Sequence, residues 1–216
     1  MPVAAVLFSL TLTAQTAGTA QSDPEAKKIL DQASAKIKSF PSVQAAFTFE
    51  LQDAQGKTQG TKKGSFSMKG TKYKVLITGQ EIISDGSTVW TYDKSSNEVT
   101  ISKADASSGS VSPQKLFTSS YDKDFLYKLN GDQKVGGKVV QEIEMTPVDK
   151  SLNFHKIYLY IDKVSHLVSS GKMLDKSGSR YLYSIGNING KAALPDASFA
   201  FNKAAHPGVE EVDLRQ

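Results

Sequence analysis

The sequence predicts a mainly β chain with two or more helical segments, its sheet curled into a barrel or half-barrel. Three observations carry that prediction. Runs in which apolar and polar residues alternate recur from Val43 to Ile188, the period-two signature of strands with two unlike faces. Turn signals such as Asp85-Gly86, Gly136-Gly137 and Asn189-Gly190 separate the runs, so neighbouring strands fold back on each other. About ten such strands, roughly 4.8 Å apart, would form a sheet about 45 Å across, whereas a helix is only about 10 Å wide. Two helical pieces cannot cover so wide a face. The sheet must therefore curl, packing its inner face on itself, on the helices or around a space.

The elements follow in order. Val3 to Leu12 form a short apolar run followed by small residues ending at Gly18-Thr19-Ala20. Residues 1–20 are accordingly expected to be an export signal peptide, too short to span a membrane, and residues 21–216 a single domain. Ser22-Asp23-Pro24-Glu25 reads as a helix start, with a capping side chain, an early proline and a carboxylate favoured by the helix dipole. Ala26, Ile29, Leu30, Ala33 and Ile37 repeat at helical spacing until Phe40-Pro41 ends the segment.

Strand alternation then begins. Val43, Ala45, Phe47, Phe49 and Leu51 share one side of the first strand. Gly64, Phe66 and Met68 continue the pattern in the second, and Tyr73, Val75 and Ile77 in the third. Asp85-Gly86 predicts a hairpin whose second strand carries Thr88, Trp90 and Tyr92 on one side. Trp90 is the only tryptophan of the chain. A strand around Val99 and Ile101 completes this run of antiparallel strands. Ser102 to Ser112 read as a loop, and Ser112-Pro113 as a helix start. Leu116, Phe117, Tyr121, Phe125, Leu126, Tyr127 and Leu129 are then expected in short helical or irregular structure. Strands resume around Val139, Ile143 and Met145, then at Phe154 to Ile161 with Ile157 and Leu159 on one face, Leu167 to Leu174, Arg180 to Ile188 and Phe199 to Phe201.

Composition excludes several classes of function. The 26 basic and 22 acidic residues are interleaved, leaving a net charge of +4, so there is no block of charge to bind nucleic acid. The absence of cysteine rules out disulfides, thiolate metal sites, thiol catalysis and a lipid on this chain's own cysteine. His155, His166 and His206 have no metal-ligand spacing and no neighbouring nucleophile motif, and phosphate-loop, zinc-protease and nucleophile-elbow signatures are all missing. Asp85, Asp93, Glu142 and Glu144 could pair in space for hydrolysis, but turn and solvent-face roles account for them. A non-enzymatic chain without metal or cofactor is expected.

The bulky candidates for the inner face are Phe47, Phe49, Phe66, Met68, Tyr73, Val75, Trp90 and Tyr92, with Ile157 and Leu159 from the later strand. Periodicity leaves open whether they fill that face or line a hollow. Several residues, in order, resemble the LolA family of periplasmic lipoprotein carriers. These are Ser39-Phe40 at the helix end, Ala46-Phe47-Thr48-Phe49, Gly64-Ser65-Phe66 with Lys69, Ser84-Asp85-Gly86 with Val89-Trp90-Thr91-Tyr92, Phe199-Ala200-Phe201, and Pro207-Gly208-Val209 with Asp213. The resemblance covers the whole mature chain.

It implies an open, incomplete β-barrel capped by a helical lid, enclosing an apolar cavity for acyl chains. It further implies a monomer that carries acylated lipoproteins through the periplasm, from an inner-membrane lipoprotein-releasing ABC transporter to an outer-membrane receptor. Lid candidates are Ile29, Leu30 and Ile37 of the first helix and Leu116, Phe117, Phe125 and Leu126 of the later cluster. The same fold also serves envelope-stress sensors and other lipid- or protein-binding modules, which gives a second reading. One position departs from the family. Gly70, flanked by Lys69 and Lys72, stands where the family carries an arginine that holds the lid closed.

Overall fold

The computed structural model describes residues 22–104, 121 and 123–215. The expected signal peptide and the lid candidates Leu116 and Phe117 lie outside the described residues.

Helix α1 (Pro24–Lys38) starts as its sequence dictates. The Asp23 carboxylate accepts from the Glu25 and Ala26 amides at 2.8 and 3.4 Å, which occupies amides that a helix start leaves without partners. Ala26, Ile29, Leu30, Ala33 and Ile37 form its buried face.

Twelve strands follow among the described residues: β1 (Val43–Gln52), β2 (Thr58–Lys69), β3 (Lys72–Ile77), β4 (Gln80–Ser84), β5 (Thr88–Asp93), β6 (Glu98–Lys103), β7 (Phe125–Val135), β8 (Lys138–Pro147), β9 (Phe154–Asp162), β10 (Val168–Asp175), β11 (Arg180–Ile185) and β12 (Glu210–Asp213). They form one sheet in the order β12-β6-β5-β4-β3-β2-β1-β11-β10-β9-β8-β7. Every pairing is antiparallel except β12 with β6. The sheet curls without closing, so β12 and β7 are its two edges.

Pairing fixes the faces, because residues directly opposite each other project to the same side. Val43, Met68 and Tyr73 stand in one row, and Ala45, Phe66, Val75 and Ile82 in the next. On the other side of β1 a row runs Leu51, Tyr181, Met173, Ile157, Met145 and Tyr127. This concave face carries α1 and the main apolar core.

The helix is tied to the far edge. The Asp23 amide donates to the Tyr127 carbonyl at 3.0 Å, and the Leu129 amide donates to the Asp23 carboxylate at 3.1 Å. At its other end the helix leads directly into β1, so it spans the hollow between the middle of the sheet and strand β7.

Three sequence expectations are corrected. Phe125, Leu126, Tyr127 and Leu129 belong to strand β7 and not to a helical lid. Apolar residues at 125, 126, 127 and 129 suit either period, and pairing with β8 decides for the strand. The strand expected at Phe199 to Phe201 is replaced by a 3₁₀ turn over Asp196–Phe199, in which Phe199 is fully buried. Arg180 to Ile188 is strand only as far as Ile185.

Beyond that turn the C-terminal segment crosses the opposite, convex face. Asp196 accepts from Lys69 at 2.8 Å and from Lys72 at 3.0 Å, and Phe201 and His206 pack on Tyr92 with ring centroids 5.7 and 4.3 Å apart. The segment then adds β12 alongside β6.

Candidate concave binding face

Burial on the concave face falls off along β1. Val43 and Ala45 at its start are buried under α1, whereas Phe47, Phe49 and Leu51 are only half-buried. Their cross-strand neighbours Ile77, Met173, Tyr181 and Ile185 are half-buried as well, and Tyr183 keeps 37% of its surface accessible. Phe49 lies 6.0 Å from Tyr181 and 5.1 Å from Tyr183, centroid to centroid, within the range of favourable ring contact. The concave face is thus buried and packed beneath the helix and remains accessible and aromatic towards the β10–β11 turn.

The local sequence explains how the Phe47 ring finds its place. A side chain at Gly64 would meet the Leu76 carbonyl oxygen at 2.3 Å and the Phe47 ring at 2.5 Å. Phe47 therefore lies across the bare backbone of its partner Gly64, which only glycine allows. The glycine of Gly64-Ser65-Phe66 is required by that ring.

Of the ten residues expected on the inner face, Phe47, Phe49, Phe66, Met68, Tyr73, Val75, Ile157 and Leu159 stand on the concave side. Trp90 and Tyr92 do not, and this corrects the sequence reading. Trp90 shares its row with Ile83 and Lys74, and Tyr92 with Glu81 and Leu76, which is the other face of the sheet. There they join Val99, Val209 and Phe201 in a second, smaller apolar cluster. The Tyr92 hydroxyl meets Asn97 Oδ1 at 3.0 Å. The convex side of β5 is the one covered, by Phe201, His206 and Val209, so its aromatic row marks that cover and not the hollow.

Among the lid candidates, Ile29, Leu30 and Ile37 face the sheet from α1. Phe125 stacks on Phe154 from β7, 6.4 Å between centroids, while Leu126, one residue on, projects to the opposite side. Lys69 and Lys72, beside the departure at Gly70, do not reach the helix. Both hold Asp196 of the C-terminal segment, and their hydrogen bonds keep its carboxyl below the ordinary range.

Sequence reasoning missed Leu51, Ile77, Met173, Tyr181, Tyr183 and Ile185 as members of the accessible patch. The signal was present in part, because Tyr181, Tyr183 and Ile185 alternate on one strand face. Their meeting with Phe49 depends on the β1–β11 register, which joins segments some 130 residues apart in the chain.

Charge is not absent from the concave side: Lys62 stands opposite Phe49, and the row of Phe47, Gly64 and Ile77 continues through Gln80 to Asp93 and Glu98. Burial pushes the Tyr121 phenol up to about 12, and burial, followed by the neighbouring Tyr181, raises Tyr183. The carboxylates considered for hydrolysis all have structural partners. Asp85 caps its turn by accepting from Ser87 and Thr88, Asp93 accepts from Ser95, Glu142 accepts from Asn130 and Gln133, and Glu144 pairs with Lys156. Among the described residues no cluster of histidines and carboxylates could hold a metal ion, and no helix is long and apolar enough to cross a membrane.

A curled, unclosed antiparallel sheet with one helix seated in its apolar hollow defines the class as an open half-barrel. Comparison with known proteins places the chain within that class. The profile of the family described as "Outer membrane lipoprotein carrier protein LolA" matches residues 38–202, so the chain belongs to the LolA family. An "Outer-membrane lipoprotein carrier protein" of Bordetella avium (strain 197N) is 28% identical over 188 residues, covering 85% of this chain and 87% of the relative. One of Cupriavidus pinatubonensis (strain JMP 134 / LMG 1197) is 30% identical over 179 residues, covering 79% and 82%. Among solved structures, an uncharacterized conserved protein from Thermus thermophilus shares the fold with a TM-score of 0.62 at 14% identity, over 88% of this chain and 99% of its own.

Proposed function

We propose that this protein is a non-enzymatic periplasmic carrier that holds the acyl chains of lipoproteins against its concave face. On this reading it receives them from an inner-membrane releasing ABC transporter and passes them to an outer-membrane receptor. The observation that carries the reading is the accessible apolar patch of Phe47, Phe49, Leu51, Ile77, Met173 and Tyr183 beside the helix, in a chain of the LolA family. Burying about fifteen CH₂ groups of one acyl chain is worth on the order of 12 kcal/mol. An acylated protein therefore needs shielding to cross water, and a hollow lined with aromatic and aliphatic side chains supplies it. Helix α1 is the movable cover in this account; among the described residues the hydrogen bonds around Asp23 and its apolar stripe hold it on the sheet.

The test uses purified protein with a fluorescent fatty-acid probe and with a detergent-solubilised lipoprotein. Saturable probe binding and transfer of the lipoprotein into a soluble complex as detergent is removed are expected. Phe49→Glu places a charge in the patch and should weaken probe binding at least tenfold while the fold is retained by circular dichroism. Binding of neither ligand by the unaltered protein would end the proposal.

A further inference from the structure

An apolar hollow needs only rings and methyl groups, yet two phenols stand in the accessible part of this one. Tyr183 and Tyr181 flank Phe49 on β11, on the concave side. Four other tyrosines have side-chain partners for their hydroxyls: Tyr73 meets Ser84, Tyr92 meets Asn97, Tyr158 meets Lys156 and Tyr160 meets Glu142. The hydroxyls of Tyr181 and Tyr183, on the paired strand β11, make no side-chain hydrogen bond among the described residues. Tyr183 is exposed and Tyr181 half-buried, so both hydroxyls are open to a ligand at the concave face.

We propose that Tyr181 and Tyr183 are the specificity-determining polar contacts of the concave face, donating their hydroxyl protons to the carbonyl oxygens of acyl esters. This deepens the acyl-carrier reading and rests on it. The phenols lie near the β10–β11 turn, where β1 also ends, and α1 covers the opposite end of β1. Hydrocarbon tails directed towards the helix would leave their ester carbonyls beside the two hydroxyls. A ligand without carbonyl oxygens would fill the same surface and leave both donors unused.

The experiment compares two lipopeptides of equal chain length, one with a diacylglyceryl head and one with its dialkyl ether analogue. Binding is measured by displacement of a fluorescent fatty acid. The ester form should bind the unaltered protein on the order of tenfold more tightly, as expected for one or two net hydrogen bonds. The double substitution Tyr181→Phe with Tyr183→Phe should bring ester binding down to the ether level. The readout is the ratio of ester to ether affinity in each protein, which should fall to about one in the variant, and an unchanged melting temperature shows that the fold is kept. Equal affinity of the unaltered protein for both ligands, or an ester preference that survives the double substitution, would overturn the proposal and leave the carrier reading standing. Failure to bind either lipopeptide would remove both.

Discussion

Gly64→Ala tests whether the concave face is built as described. The added methyl would sit 2.3 Å from the Leu76 carbonyl oxygen and 2.5 Å from the Phe47 ring, where ordinary contacts begin at 3.4 Å. The ring can swing away, but the carbonyl belongs to the β2–β3 ladder and moves only if that pairing shifts. Overpacking a fitted site costs about 1–3 kcal/mol, and a backbone obstacle puts this case at or above the upper end. For a domain of this size each kcal/mol lowers Tm by roughly 2–4 °C, so a fall of about 6–12 °C is expected in a thermal melt followed by circular dichroism. A second measurement separates the two obstacles. In a Phe47→Ala background the same glycine substitution should cost less, because one of its two clashes is gone, but it should still destabilise through Leu76. A Gly64→Ala protein melting within about 1 °C of the original would refute both the register and the ring placement.

Further predictions concern the helix, the C-terminal segment and the tryptophan. Asp23 is held below its ordinary 3.8 by the amides of Leu129 and Glu25. Its contribution is therefore complete above that value and lost as pH falls through the depressed native pKa. Asp23→Asn should lower Tm at pH 7 and flatten the acid limb of a Tm-against-pH series below about pH 4. Asp196→Asn should loosen the C-terminal segment from Lys69 and Lys72; the drop in Tm should shrink in molar salt, since these are exposed pairs. Trp90, lying with Phe201 on the convex side, should hold its emission maximum when an acyl ligand binds, whereas Phe201→Ala should shift it to the red. A large ligand-induced shift in Trp90 emission would mean that the ligand occupies the other face.

The residues that could be read in advance are those whose signal is local. Asp23-Pro24 announced a helix because capping and a preset φ act within one turn. Phe66 with Met68 and Ile157 with Leu159 announced strand faces because the pleat has a period of two. The aromatic patch was only half legible. Phe47 and Phe49 stood out, but Tyr181, Tyr183 and Met173 join them only through the pairing of β1 with β11 and β10 with β11. Strand β12 was missed for a related reason. Glu210-Glu211-Val212-Asp213 has no apolar alternation and becomes a strand through its parallel pairing with β6.

The sequence alone thus determined a cysteine-free, β-rich chain with one capped amphipathic helix, a sheet too wide to stay flat and a set of motifs in LolA order. The tertiary structure decided which face looks inward. Alternation separates the two sides of a strand without naming them, and in β5 the aromatic row Trp90 and Tyr92 faces a cover on the convex side. The cover on the convex side comes from residues 195–209, brought back over β3 to β6 by Asp196, Phe201 and His206. That return turned Trp90 and Tyr92 away from the hollow, and long-range register put Tyr181 and Tyr183 into it.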